Sequence, residues 1–87
     1  MAQVTMYCKV TCPYCTRAAK ILKDHNADFE NISIDTNREA RAEMIERSNG
    51  RTTVPQIFIN GQHIGGCDDL QALEREGKLE ALLAVAQ

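Results

Sequence analysis

No acidic residue stands among the first 23 positions; all 12 Asp and Glu lie from Asp24 onward. The same stretch carries Lys9, Arg17, Lys20 and Lys23, so it is basic within a chain of net charge −2. That net charge argues against general nucleic-acid binding, which needs a basic footprint. No apolar run approaches the ~20 residues that span a bilayer, so no membrane association is expected. The start, Met1-Ala2-Gln3-Val4-Thr5, has neither the basic head nor the apolar core of a secretory leader. The expected location is the cytoplasm. Linkers, repeats and low-complexity segments are also missing. With 44% hydrophobic and 25% charged residues, residues 1–87 read as a single soluble domain.

What is there is sulfur. Cys12-Pro13-Tyr14-Cys15 places two thiols two residues apart, where a short apolar strand gives way to a helix. A thiol at that junction meets the helix's uncompensated N–H groups, which stabilise a negative charge. The thiolate is the form that attacks disulfides, and nearby cations favour it while also attracting anionic substrates. In a reducing compartment such a pair is catalytic or metal-binding rather than a structural staple. Zinc is the rival, because Cys8 and Cys67 bring the thiols to four. Structural zinc usually takes two paired knuckles, whereas Cys67 stands alone and Cys8 comes from a strand. No metal is expected.

Strands and helices alternate at the spacing of βαβ units. Residues 3–8 read as a strand, with Val4, Met6 and Cys8 on one face and Thr5 and Tyr7 on the other. Pro13 suits the first helical position, where its missing N–H leaves nothing unpaired, and the helix runs to about residue 25. Residues 29–35 read as a second strand. Thr36-Asn37-Arg38-Glu39 fits a capping box, and the helix it opens, carrying Ala40, Met44 and Ile45, ends at Ser48-Asn49-Gly50. Ile57-Phe58-Ile59 and Gln62-His63-Ile64 flank Asn60-Gly61, the strongest short hairpin signal. Helices over residues 67–76 and 78–85 follow, broken at Gly77, with Leu79, Leu82 and Leu83 facing inward. The order is β-α-β-α-β-β-α-α: an α/β fold with a four-stranded mixed sheet and helices on both faces.

Within the thiol pair, Cys12 precedes the first turn and is the exposed member, while Cys15, three residues on, lies on the same face and is shielded by its own helix. That asymmetry assigns attack to Cys12 and resolution of the mixed disulfide to Cys15. The Gly65-Gly66 turn lets the backbone approach a ligand closely, and the amides of Cys67 and Asp68 open a helix, which suits an anion. Cys8 reads as a buried strand residue, Cys67 as more exposed and near the ligand. His25 reads as a helix-end residue and His63 as a solvent-facing one, both without a role.

Three motifs together, Cys12-Pro13-Tyr14-Cys15, Thr53-Val54-Pro55 and Gly65-Gly66-Cys67-Asp68-Asp69, resemble those of the glutaredoxin family, most of all its small bacterial dithiol members. The resemblance covers nearly the whole chain in order. It implies a thioredoxin-like fold, glutathione as the reducing co-substrate, and a cis Val54–Pro55 bond that sets the Val54 backbone beside Cys12. It implies glutathione contacts from Lys9, Tyr14, Thr53, Val54, Pro55, Gly66, Cys67 and Asp68, with Gln56 a weaker carry-over; Asp69, by its place in the first helical turn, reads as serving the helix dipole. It implies a monomer acting on glutathionylated or disulfide-containing proteins, ribonucleotide reductase being a family-level candidate. Two alternatives stand beside it. One is a carrier of a [2Fe–2S] cluster, against which Pro13 and Cys15 weigh. The other is a thioredoxin-like protein served by a flavoprotein reductase, against which the absence of Trp, and so of a Trp-Cys-Gly-Pro-Cys stretch, weighs.

Overall fold

The computed structural model describes residues 2–84. The elements are β1 (Val4–Cys8), α1 (Pro13–Asp24), β2 (Phe29–Ser33), α2 (Arg38–Arg47), β3 (Gln56–Ile59), β4 (Gln62–Gly65), α3 (Cys67–Arg75) and α4 (Leu79–Ala84). The expected end of the last helix at Val85 lies outside the described residues. The sheet order is β2-β1-β3-β4. β1 runs parallel to β2 and antiparallel to β3, and β4 returns antiparallel to β3. This is a four-stranded mixed sheet of the thioredoxin-like kind.

Alternation along β1 sorts the interior into two clusters, one on each face of the sheet. Val4, Met6 and Cys8 join Cys15, Ala18 and Leu22 of α1, Cys67 and Leu70 of α3, and Leu79 of α4. Tyr7 joins Phe58, Ile34, and Ala40 and Met44 of α2 on the other face. The central strands β1 and β3 are therefore buried along their whole length.

Strand ends differ from the sequence reading for local reasons. Gln3 leaves the sheet because its N–H is taken by the Asn60 side chain, 2.8 Å away, and its carbonyl by the Asn60 N–H at 2.7 Å. β2 stops at Ser33 rather than residue 35, since β1 ends at Cys8; Asp35 instead accepts from Val10 N–H at 3.3 Å and from the Ser33 hydroxyl. The expected capping box at Thr36 is not formed. Asn37 caps α2, its Oδ1 accepting from Ala40 N–H at 3.1 Å. An Asx side chain one residue nearer the helix reaches the third amide directly, so Thr36 is left outside. The hairpin signal is met: Asn60 and Gly61 have φ of 52° and 81°, both positive, as a type I′ turn demands.

Candidate active site

Cys12 is the extended residue that precedes α1, with φ −87° and ψ 114°, and Pro13 follows as the first helical residue. No side chain caps this helix. The first-turn amides of α1 thus have no capping side chain to accept from them. Cys12 is half-buried, and its thiol donates to the Val54 carbonyl across 3.8 Å. The Val54–Pro55 bond is cis. Cys15, one turn into α1, is buried at 5% exposure. Burial pushes its thiol up to about 12, with the Cys12 sulfur it faces adding to the rise. Of the two thiols, one is therefore reachable and the other held neutral and shielded.

The Val54 carbonyl that the Cys12 thiol meets belongs to a groove of about 450 Å³ lined by Tyr14, Arg51, Thr53, Val54, Pro55, Gly66, Cys67, Asp68 and Asp69. Seven of the residues expected to meet glutathione are thus gathered on one surface. Lys9 is not among them. It lies on a second cavity of about 660 Å³ behind the thiols, with Cys8, Cys15 and Asn31. Tyr14 is 54% exposed, and the Arg17 guanidinium sits 5.6 Å from its ring centre. Lys20 pairs with Asp24 on the open face of α1 at 2.9 Å, so it serves the helix surface.

The glycine pair does different work at its two positions. Gly65 has φ 119°, and a Cβ there would lie 2.2 Å from Asp69 Oδ2. That carboxylate accepts from Gly66 N–H at 2.9 Å. Asp69 thereby fixes the entry to α3, beyond its effect on the helix dipole, and leaves the Cys67 and Asp68 amides at the groove. Cys67 itself corrects the sequence reading. It is 4% exposed, because the first turn of α3 packs its side chain into the core cluster that also holds Leu70 and Ile57. Burial pushes the Cys67 thiol up.

Arg51 was not singled out by the sequence reading. Its guanidinium lies 3.6 Å from Asp69 and over Gly66, joining the segment before the cis bond to the start of α3. No local pattern marks it, since its partner is 18 residues away along the chain. Gln56 proves fully buried. Its amide donates to Thr53 O at 3.0 Å and Thr53 Oγ1 at 3.2 Å, and accepts from His63 Nε2 at 2.7 Å. It shapes the Thr53-Val54-Pro55 turn from behind. His63 is half-buried against Phe58 rather than solvent-facing, and burial lowers its pKa. Among the described residues, no group of three or more His, Cys, Asp or Glu side chains could hold a metal ion, and no helix is long and apolar enough to cross a membrane.

Residues 4–64 match the glutaredoxin family model. The chain is 58% identical over 83 residues to glutaredoxin 3 of Escherichia coli K12, covering 95% of this chain and 99% of that one. It is similar to the solution structure of glutaredoxin from Brucella melitensis, with TM-score 0.83, 53% identity and coverage of 95% and 89%. It is also similar to a buckwheat glutaredoxin–glutathione complex, with TM-score 0.84, 34% identity and coverage of 92% and 74%. With a family model matching most of its length and a relative 58% identical over nearly all of both chains, the chain belongs to the glutaredoxin family of thiol–disulfide oxidoreductases.

Proposed function

We propose that this chain is a glutathione-dependent disulfide oxidoreductase that reduces protein–glutathione mixed disulfides and protein disulfides. The observation that carries the reading is the Cys12 sulfur 3.8 Å from the Val54 carbonyl, at the mouth of a groove whose far wall is the start of α3. The tripeptide lies along that groove. Its cysteinyl backbone pairs with Val54 as an added strand. One carboxylate meets the Cys67 and Asp68 amides at the α3 N-terminus, and the Asp68 carboxylate meets its amino group. Tyr14, Thr53, Pro55 and Gly66 shape the walls. Lys9 serves the second carboxylate from beyond the groove, which requires its exposed side chain to swing toward the thiols.

Cys12 thiolate attacks the glutathione sulfur of a mixed disulfide and releases the protein thiolate, which takes up a proton. A second glutathione attacks the Cys12–glutathione disulfide, giving glutathione disulfide and free Cys12. With a protein disulfide, Cys12 first forms a mixed disulfide with the protein. Cys15 then attacks the Cys12 sulfur, expels the protein thiol and closes the Cys12–Cys15 disulfide, which two glutathiones reduce in turn. The order is built into Cys15. Part of what holds it neutral is the neighbouring Cys12 sulfur, and that contribution lapses once Cys12 is covalently engaged.

The buckwheat relative's complex with glutathione supports the choice of reductant. The similarity to glutaredoxin 3 does not favour a cluster carrier or a flavoprotein-served thioredoxin. The setting proposed is the cytoplasm, as a monomer, with glutathionylated or disulfide-containing proteins as partners, ribonucleotide reductase among the candidates. A coupled glutathione–glutathione reductase assay on a small mixed disulfide tests this. Cys12→Ser should abolish turnover of mixed disulfides and protein disulfides alike, while Cys15→Ser should retain the first. Full activity in the Cys12 variant ends the mechanism.

A further inference from the structure

The mechanism above leaves two thiols unused, Cys8 and Cys67. Cys8 closes β1 on the face that α1 covers, and Cys15 comes down onto it from the first turn of α1. Cys8 and Cys15 belong to one buried cluster, and the half-buried Cys12 packs against it. The three cysteines therefore lie together, Cys12 toward Val54 of the groove and Cys8 and Cys15 toward the cavity behind it. The inner end is not sealed. Cys8 and Cys15 both line the 660 Å³ cavity behind the pair, beside Asn31 and Lys9. Cys8 donates to Asn31 Oδ1 at 2.7 Å, which fixes its sulfur on the Cys15 side of β1.

We infer that Cys8 is a third exchanging thiol, which takes Cys15 from the Cys12–Cys15 disulfide and moves the bond inward. The reading rests on the dithiol role of Cys12 and Cys15 proposed above. The step is an isomerisation and needs no outside oxidant. Cys8 loses its proton to solvent in the rear cavity and attacks the Cys15 sulfur. The Cys12–Cys15 bond breaks, Cys8–Cys15 forms, and Cys12 departs as a thiolate. The bond count and the oxidation level are unchanged. Burial keeps the Cys8 thiol protonated, with Asp35 adding to the effect, so the inward step is slow beside attack by Cys12. Its product differs in kind from the ordinary oxidised form. Cys12 is again free at the groove, while the disulfide lies beneath it, approached only from the rear cavity.

Trypsin separates the two forms, because Lys9 lies between Cys8 and Cys12 while Cys12 and Cys15 share the peptide of residues 10–17. The unmutated protein is oxidised with glutathione disulfide, incubated, quenched in acid, alkylated and digested. A cross-link between peptides 1–9 and 10–17, with the alkyl group on Cys12, is the expected product, and its share should rise with incubation. In Cys12→Ser, a small diazene oxidant should remove two hydrogens from the protein and join Cys8 to Cys15, and Cys8→Ala in that background should abolish the link. Peptide 1–9 recovered fully alkylated in both experiments, or Cys15 of the Cys12→Ser variant linked to Cys67, would overturn the inference. The coupled activity assay reads the dithiol mechanism independently, so the two failures are told apart.

Discussion

His25 is the residue whose surroundings go furthest beyond its place in the sequence. It caps the end of α1, and both ring nitrogens face carboxylates: Nε2 lies 2.9 Å from Glu74 and Nδ1 2.8 Å from Glu80. Only the imidazolium donates at both positions. The Glu80 hydrogen bond, then that of Glu74, raises the pKa of His25 above its ordinary value. A raised folded-state pKa means stability that is fully present below the unfolded value of about 6.5 and lost as pH climbs through the folded value. The ring is 17% exposed, but the carboxylates are 40% and 77% exposed, so screening limits the effect to about 1 kcal/mol or less. Urea unfolding of the parent and His25→Gln should show a gap below about pH 6 that narrows as the pH is raised well above 6.5. A pH-independent gap would mean the ring acts by packing alone. The other residue-scale triad is built differently. Tyr7 donates to Glu43, accepts from Arg47 at 2.8 Å, and meets Phe58 edge-on at 5.7 Å, so its phenol adds a polar tie to the packing of Ala40 and Met44 against the sheet.

Elements were legible where the signal was local. Asn60-Gly61, Pro13 after Cys12, and the Ser48-Asn49-Gly50 ending each fix a backbone conformation within a few residues, and each is seen. Asn49 and Gly50 take φ of 61° and 96°, and Gly50 N–H closes on Ile45 O at 2.7 Å. The start of α2 was misplaced by one residue because Thr36 and Asn37 are both good caps and only the turn that follows Ser33 chooses between them. Asn37→Ala should cost about 1 kcal/mol of stability, and Thr36→Ala almost none; thermal melts of the two variants decide, and equal losses would contradict the observed cap. Long-range pairings were not legible. Arg51 with Asp69, His25 with Glu80 and Gln56 with Thr53 and His63 depend on how finished elements dock. The misjudged exposure of Cys67 has the same origin: the sequence shows where α3 begins, but the depth of its first turn is set by Leu70 and β3.

At the scale of the whole molecule, the sheet divides the apolar interior, and the site straddles the divide at one end. α1 and α3 bring Cys12, Cys15 and Asp68 to it from one face, while the cis turn before β3 supplies Val54, which packs against both clusters. α4 is six residues long and too short to be stable alone. It is held by Leu79, which is fully buried, and by the Glu80 contact to His25. Leu79→Ala should therefore cost about 2–5 kcal/mol, the range for emptying a buried leucine site, in a domain whose total stability is of order 5–15 kcal/mol. Chemical denaturation measures this, and a loss under about 1 kcal/mol would show that α4 is not part of the cooperative core. The uncapped start of α1 carries a last consequence. Serine is a favoured residue at such a position and cysteine is not. Serine at position 12 would supply the missing cap, so the Cys12→Ser protein should melt at a higher temperature than its parent.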